Sequence, residues 1–297
     1  MNKNLIVIPA IAITLCLILA AGCTGTTGTT GTVTSNTPAT GLLPAPEGSL
    51  QGYPAVNING TPVQYKEVNG MRLAYREFGT GEPLLMITGF GNDMDGWNQT
   101  FIGILATKYH VYTYDPRGMG YSSTDNSTPV FSQYSDDAAG LITALGYDSM
   151  HVYGVSMGSS TAQQLVIDHP EKVRKLVLDS VTYSIRAPET KLLLALNEEI
   201  NASPSQPAGT RREAWANLEW KGSWDKLSGI HKDVMFVEGT HDSLTPDPIS
   251  VRMAGQVNGS WVVRFKGIEH FGSRYAPVQY GENALFFLGT NESPLGK

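Results

Sequence analysis

The residues best placed to do chemistry begin with Ser156, set in the pentapeptide Gly154-Val155-Ser156-Met157-Gly158. An apolar, strand-like run, Met150-His151-Val152-Tyr153, precedes it, and a helix-like run from Ser159 to Asp168 follows. A serine between them crowns a strand-to-helix turn. Strain there projects the hydroxyl from the sheet edge, and the two glycines let strand and helix pack closely. The chemistry this suggests is attack on an acyl carbonyl, which a serine hydroxyl, a very weak acid, cannot perform unaided. In a chain with 32 Gly the pentapeptide alone proves little, so its partners decide. The plain alternative for Ser156 is a helix N-cap, but a cap needs no glycine on either side.

Two further groups fit. Val234-Met235-Phe236-Val237 reads as a buried strand that runs into the turn-rich segment Glu238-Gly239-Thr240-His241-Asp242-Ser243-Leu244-Thr245-Pro246. Trp261-Val262-Val263-Arg264-Phe265 reads as another strand and ends in Lys266-Gly267-Ile268-Glu269-His270-Phe271. Ser156, Asp242 and His270 thus each follow a predicted strand, and in a parallel sheet those ends share one rim. His270 would take the serine proton and return it to the leaving group, while Asp242 would fix the imidazole tautomer. His270 could instead be a surface-loop histidine, and Asp179, also at a strand end, stays open as the acid. His241 and Glu269 read as incidental neighbours, with Glu269 facing water.

The elements that must position these groups alternate. Met71 to Phe78, Pro83 to Ile87, Tyr109 to Tyr114 and Val173 to Asp179 read as strands. Phe101 to Ala106, Ser135 to Leu145 and Ala276 to Leu288 read as helices. That order predicts an α/β fold with a doubly wound, mainly parallel sheet flanked by helices, antiparallel only near its N-terminal end. The 297 residues, 41% apolar, suffice for one enzyme-sized domain. A net charge of -6 gives no basic surface for nucleic acid. Cys-x-x-Cys, His-Glu-x-x-His and Gly-x-x-x-x-Gly-Lys are all missing from the sequence, so no metal site, phosphate cradle or cofactor is expected.

From about Val63 to Leu288 the chain resembles the α/β-hydrolase superfamily, in its branch of serine esterases and related acyl hydrolases. Besides the serine turn, Leu84-Leu85-Met86-Ile87-Thr88-Gly89-Phe90-Gly91 is similar to the family's oxyanion loop. Tyr114-Asp115-Pro116-Arg117-Gly118-Met119-Gly120-Tyr121-Ser122 is similar to its Asp-x-Arg-Gly-x-Gly-x-Ser segment. The order Ser, Asp, His is also the family's order. The resemblance implies an α/β-hydrolase fold and an acyl-enzyme route, with the backbone N–H groups of Phe90 and Met157 as the oxyanion hole. It makes Asp115 and Arg117 loop-fixing charges. Thr88 stands where many relatives carry histidine, a change that leaves the backbone donors in place.

Relatives insert a longer cap where this chain has only the short region 181–227, so the expected lid is one helix, Lys191 to Ile200, followed by the breakable Asn201-Ala202-Ser203-Pro204-Ser205-Gln206-Pro207. An open site is expected, with Phe90, Trp97, Met157 and Phe271 at its mouth to receive an apolar acyl or alcohol group. Cleavage of a small carboxylic ester is the expected activity. A peptidase, thioesterase, perhydrolase or carbon–carbon bond hydrolase on the same triad, or a surface binding protein on this scaffold, are the alternatives.

The N-terminus reads as targeting. Lys3 precedes an apolar run from Leu5 to Ala21 that ends in Leu19-Ala20-Ala21-Gly22-Cys23, which has the character of a secretory signal over 1–22. The Ala-Gly-Cys ending resembles a prokaryotic lipobox, although Ala20 stands where leucine is usual; an uncleaved signal anchor is the alternative. Cys23 would then be the lipidated mature N-terminus, tethering an exported protein to the membrane, and with Cys16 removed no disulfide could form within one chain. Residues 23–55, rich in Thr, Gly, Ser and Pro, read as a flexible tether before a catalytic domain over 56–297. Six Asn-x-Ser/Thr sequons, at Asn59, Asn98, Asn126, Asn201, Asn258 and Asn291, permit glycosylation outside the cell.

Overall fold

The computed structural model describes residues 52–125 and 127–290, so the signal segment, Cys23 and most of the tether lie outside the described residues. Eight strands form one sheet: β1 (Gln64–Val68), β2 (Met71–Phe78), β3 (Glu82–Ile87), β4 (Tyr109–Tyr114), β5 (Met150–Val155), β6 (Val173–Asp179), β7 (Asp233–Gly239) and β8 (Trp261–Phe265). Their spatial order is β1-β2-β4-β3-β5-β6-β7-β8. Only β1 with β2 and β2 with β4 pair antiparallel, and the rest are parallel. β5 is buried at all six positions, as expected of a central parallel strand covered on both faces. The edge strand β1 alternates instead.

The helices are α1 (Gln99–Leu105), α2 (Phe131–Ala144), α3 (Met157–Asp168), α4 (Lys191–Ala202), α5 (Ala208–Glu219), α6 (Pro248–Ala254), α7 (Gly272–Tyr275) and α8 (Pro277–Gly289). Two apolar layers sandwich the sheet. On one face Leu141, Ile142, Leu165, Val166, Ile249 and Met253 of α2, α3 and α6 bury against the strands. On the other, Phe101, Leu105, Tyr280 and Phe287 of α1 and α8 do so. Asn98, one of the sequon asparagines, caps α1 by accepting from the N–H groups of Thr100 and Phe101. From Pro54 the chain already lies against α1: a side chain on Gly103 would come within 2.4 Å of the Pro54 carbonyl.

Register brings the strand ends to one rim. Ile87 is level with Gly154, Val155 with Asp179, Asp179 with Val237, and Gly239 with Phe265. Each site residue therefore needs only a short loop to reach the centre. The lid departs from expectation in having two helices. α4 runs two residues beyond the expected helix, and after the Ser203 to Pro207 break the chain turns back as α5, which packs on α4. The sequence of α5 carries Arg211, Arg212, Glu213 and Glu219 among alanines, which conceals its inward face.

Candidate active site

Ser156 sits between the last residue of β5 and the first of α3 with φ of 54° and ψ of -121°. That is a left-handed backbone a serine does not choose freely. Although Ser156 occupies the N-cap position, its side chain makes no capping bond, so the strain serves no helix start. The flanking glycines are there for space. A Cβ on Gly158 would lie 2.1 Å from the Ile87 carbonyl oxygen, and one on Gly154 2.4 Å from that of Gly158. Since these neighbours are backbone atoms, neither can swing aside.

The freed hydroxyl meets His270: Ser156 Oγ is 2.8 Å from Nε2, and Nδ1 is 2.7 Å from Asp242 Oδ2. Asp242 is held by its own turn. Its Oδ1 accepts the N–H groups of Leu244 and Thr245, both at 2.8 Å, and its Oδ2 accepts the Thr245 hydroxyl at 2.8 Å. Burial alone would raise this carboxyl. The charge and hydrogen bond of His270 and the Thr245 donors outweigh it and hold Asp242 below the ordinary carboxylate range. The structure thus joins the three residues singled out in the sequence at hydrogen-bond distance. Thr245, three residues after Asp242, was missed, although Asp-x-x-Thr at a strand end is a turn signature.

Asp179 is not the partner of His270. It accepts from Tyr153 Oη at 2.8 Å and Ser180 Oγ at 3.0 Å, and complete burial pushes it up to about 6 against those bonds. Ser180 has φ of 51° and also accepts the Phe271 N–H at 2.9 Å, while Phe271 has φ of 62°. Three of the four non-glycine residues with left-handed backbone among the described residues are therefore Ser156, Ser180 and Phe271, all on this rim. Glu238, buried and bonded to the Val181 N–H at 2.7 Å, is driven well above its ordinary value by desolvation and by Asp242 and Asp179 nearby.

The loop expected to supply an oxyanion hole passes close to Ser156. A Cβ on Gly89 would lie 3.1 Å from the Ser156 Cβ. Neither the Phe90 N–H, outside any regular element, nor the Met157 N–H, in the first position of α3, makes a hydrogen bond among the described residues, so both are free to donate. Asn92 Nδ2 donates to the Phe90 carbonyl at 3.0 Å, and Asp115 accepts the Met94 N–H and the Tyr121 N–H, each at 2.7 Å. Arg117 grips Asp137 through two bonds of 2.6 and 2.7 Å. Both expected loop charges thus fix loops. Thr88 is buried with its hydroxyl unpartnered.

The space at the nucleophile is lined by Phe90, Ser156, Met157, Ile185, Leu193 and Asn217 among others, and leaves about 10 Å³, the room of a single water. The space is narrower than an open site would give: Leu193 of α4 and Asn217 of α5 line it, while Ser156 and His270 stay partly exposed. Phe90 and Met157 line this space as expected. Trp97 and Phe271 do not: they pack edge to face at 5.5 Å in the core layer behind the rim. His241 and Glu269 are exposed. Cys23 lies outside the described residues.

Fold, rim and serine turn together define a class. A family profile described as alpha/beta hydrolase fold matches residues 82–204. A Synechocystis sp. protein that carries the name non-heme chloroperoxidase is 31% identical over 242 residues, 66% of this chain and 87% of that protein. The chain therefore belongs to the α/β-hydrolase fold superfamily. It is also 36% identical over 118 residues to the dihydrolipoyllysine-residue acetyltransferase component of the acetoin cleaving system of Cupriavidus necator, covering 39% of this chain but only 31% of that protein's length. Among solved structures, MGS-M2, an alpha/beta hydrolase enzyme from a Medee basin deep-sea metagenome library, aligns over 79% of this chain and 100% of its own at 14% identity, with a TM-score of 0.71.

Proposed function

We propose that the chain is a serine hydrolase that cleaves a carboxylic ester through an acyl-enzyme. The observation that carries this reading is the continuous path Ser156 Oγ, His270 Nε2, His270 Nδ1, Asp242 Oδ2, at 2.8 and 2.7 Å. His270 removes the Ser156 proton as Oγ attacks the carbonyl carbon. The resulting oxyanion is received by the unengaged N–H groups of Phe90 and Met157. His270 then delivers its proton to the departing alcohol. Water, deprotonated in turn by His270, releases the acid and restores Ser156. Asp242 stays ionised and stabilises the imidazolium, which its lowered pKa favours. With about 10 Å³ free beside Ser156, the acyl group gains room there as the α4–α5 lid shifts outward. A short acyl group fits this cavity with the least displacement.

The apolar run before Cys23 and its Ala-Gly-Cys ending support an exported enzyme held to the membrane by a lipid on Cys23. Wild type should hydrolyse short p-nitrophenyl esters and take up a fluorophosphonate label. Ser156→Ala, folded by circular dichroism, should do neither, and equal rates in the two would refute the assignment. The name of the Synechocystis relative favours a second reading, in which hydrogen peroxide replaces water as acyl acceptor and the product is a peracid. Peroxide-dependent halide oxidation that outpaces ester hydrolysis would select that reading.

A further inference from the structure

The lid helix α5 does more than cover the nucleophile. Glu213, on its inner face and buried, accepts the Gly91 N–H on Oε2 at 2.7 Å. Gly91 follows Phe90 directly, has φ of 70°, and packs against Thr210 one turn earlier on α5. One turn later on the same face, Asn217 donates to Met157 Sδ at 3.5 Å and to Asn197 Oδ1 of α4 at 3.0 Å. Positions 213 and 217 are one helical turn apart and therefore stack on one stripe of α5. That stripe touches Gly91, the neighbour of one expected oxyanion donor, and Met157, which carries the other.

We propose that Glu213 is a positioning residue that couples lid closure to the oxyanion hole: its carboxyl fixes the Phe90–Gly91 peptide so that the Phe90 N–H points at the reacting carbonyl only while α5 is seated. This rests on the acyl-transfer reading above. The peptide is held from both sides, since Asn92 Nδ2 grips the Phe90 carbonyl and Glu213 the Gly91 N–H. With Glu213 removed, the Asn92 clamp remains and the Gly91 N–H loses its partner in a half-buried place. The Phe90 N–H, one peptide earlier, then shifts with the loop, and a displacement of a fraction of an ångström weakens this donor most where charge develops, in the transition state.

The same carboxyl gives the site a pH signature. Burial pushes Glu213 from an ordinary 4.5 up to about 8, opposed only by the Gly91 bond. The titratable groups set against it are Tyr114 at the end of β4 and Tyr134 on α2, both held neutral far into the alkaline range. The Arg117–Asp137 pair lies beyond Tyr134. The Tyr134 hydroxyl is buried without a partner. In the open lid the carboxyl returns toward its ordinary value. Closure is therefore fully supported below about 4.5, loses ground as pH rises toward 8, and changes no further above it. An ionised Glu213 also sets a negative charge on the Gly91 N–H, one residue beyond the expected donor Phe90, so kcat should fall on the alkaline side.

The experiment compares wild type, Glu213→Leu, Glu213→Gln and Ser156→Ala on a short p-nitrophenyl ester from pH 5 to 9.5, with Gly91 amide exchange read by NMR. Glu213→Leu should lose about 10- to 100-fold in kcat with KM nearly unchanged, somewhat less than deletion of an oxyanion donor, and its Gly91 amide should exchange faster. Glu213→Gln keeps an acceptor and cannot ionise, so it should rescue most of that loss and abolish the alkaline limb. If Glu213→Leu fails to fold, the glutamine profile decides: a wild-type limb that vanishes supports the proposal, and superimposable profiles overturn it. Ser156-dependent turnover with wild-type kcat in Glu213→Leu overturns the role of Glu213 alone. Equal rates in Ser156→Ala and wild type overturn the acyl-transfer reading and this proposal with it.

Discussion

Thr245→Val keeps nearly the same volume and the same backbone N–H but deletes the hydroxyl that donates to Asp242 Oδ2 at 2.8 Å. Asp242 then retains three bonds, from Leu244 N–H, Thr245 N–H and His270. A hydrogen bond to a charged group contributes about 1.5–3 kcal/mol, so stability at pH 7 should drop by about that much. The drop should depend on pH in a definite direction. Asp242 is held below its ordinary 3.8, so its contribution is present above that value and is lost as pH falls through the lower folded value. The gap between wild type and variant should be full from pH 5 upward and close toward pH 3. Activity should suffer less than stability, because the Asp242–His270 contact survives. A loss below about tenfold in kcat is expected, against about 10⁴ for an Asp→Asn change that inverts the imidazole tautomer. Urea titrations at pH 7 and 3.5, with steady-state ester kinetics of Thr245→Val and Asp242→Asn, supply both readings. An unchanged stability at pH 7, or a kcat loss as deep as that of Asp242→Asn, would refute the assignment of Thr245 to the carboxylate.

Two other substitutions probe the rim. Gly158→Ala sets a Cβ 2.1 Å from the Ile87 oxygen and 2.5 Å from the Thr88 oxygen, so α3 must retreat from β3; thermal denaturation should reveal about 1–3 kcal/mol or more of destabilisation, with ester turnover lost alongside. Ser180→Ala strips the acceptor from the Phe271 N–H and a donor from Asp179, which should cost about 1–3 kcal/mol for the stranded N–H and lower kcat by displacing His270, measured as kcat against an unchanged KM.

The sheet was legible because its signals are local. Met71 to Phe78, Tyr109 to Tyr114, Val173 to Asp179 and Trp261 to Phe265 coincide with β2, β4, β6 and β8, each an apolar or β-branched run closed by turn residues. Helix starts were less legible. α2 begins at Phe131 rather than Ser135, where Val130 takes the cap position with no capping side chain to announce it. α5 left no trace, since its buried Glu213 and Asn217 look in sequence like any polar surface positions, and burial of a carboxyl is decided by what packs over it. That Ser156, Asp242 and His270 would meet was readable from strand ends and turn chemistry. The inward face of the lid was not, because the length of an insertion gives no information on which side chains turn toward the rim.

The three left-handed residues of the rim are tied to one another's strands. The Ser156 N–H reaches the Asp179 carbonyl at 2.9 Å, the Ser180 N–H reaches Val237 at 3.1 Å, and the Ser180 hydroxyl catches the Phe271 N–H at 2.9 Å. Conformations of this kind persist only where their surroundings over-determine them. Each contorted residue is thus a keystone set by its neighbours, and none can be placed before the segments far along the chain have arrived. Ser156, His270 and Asp242 thus owe their juxtaposition to contacts between segments far apart in the chain, and to no local stretch of sequence.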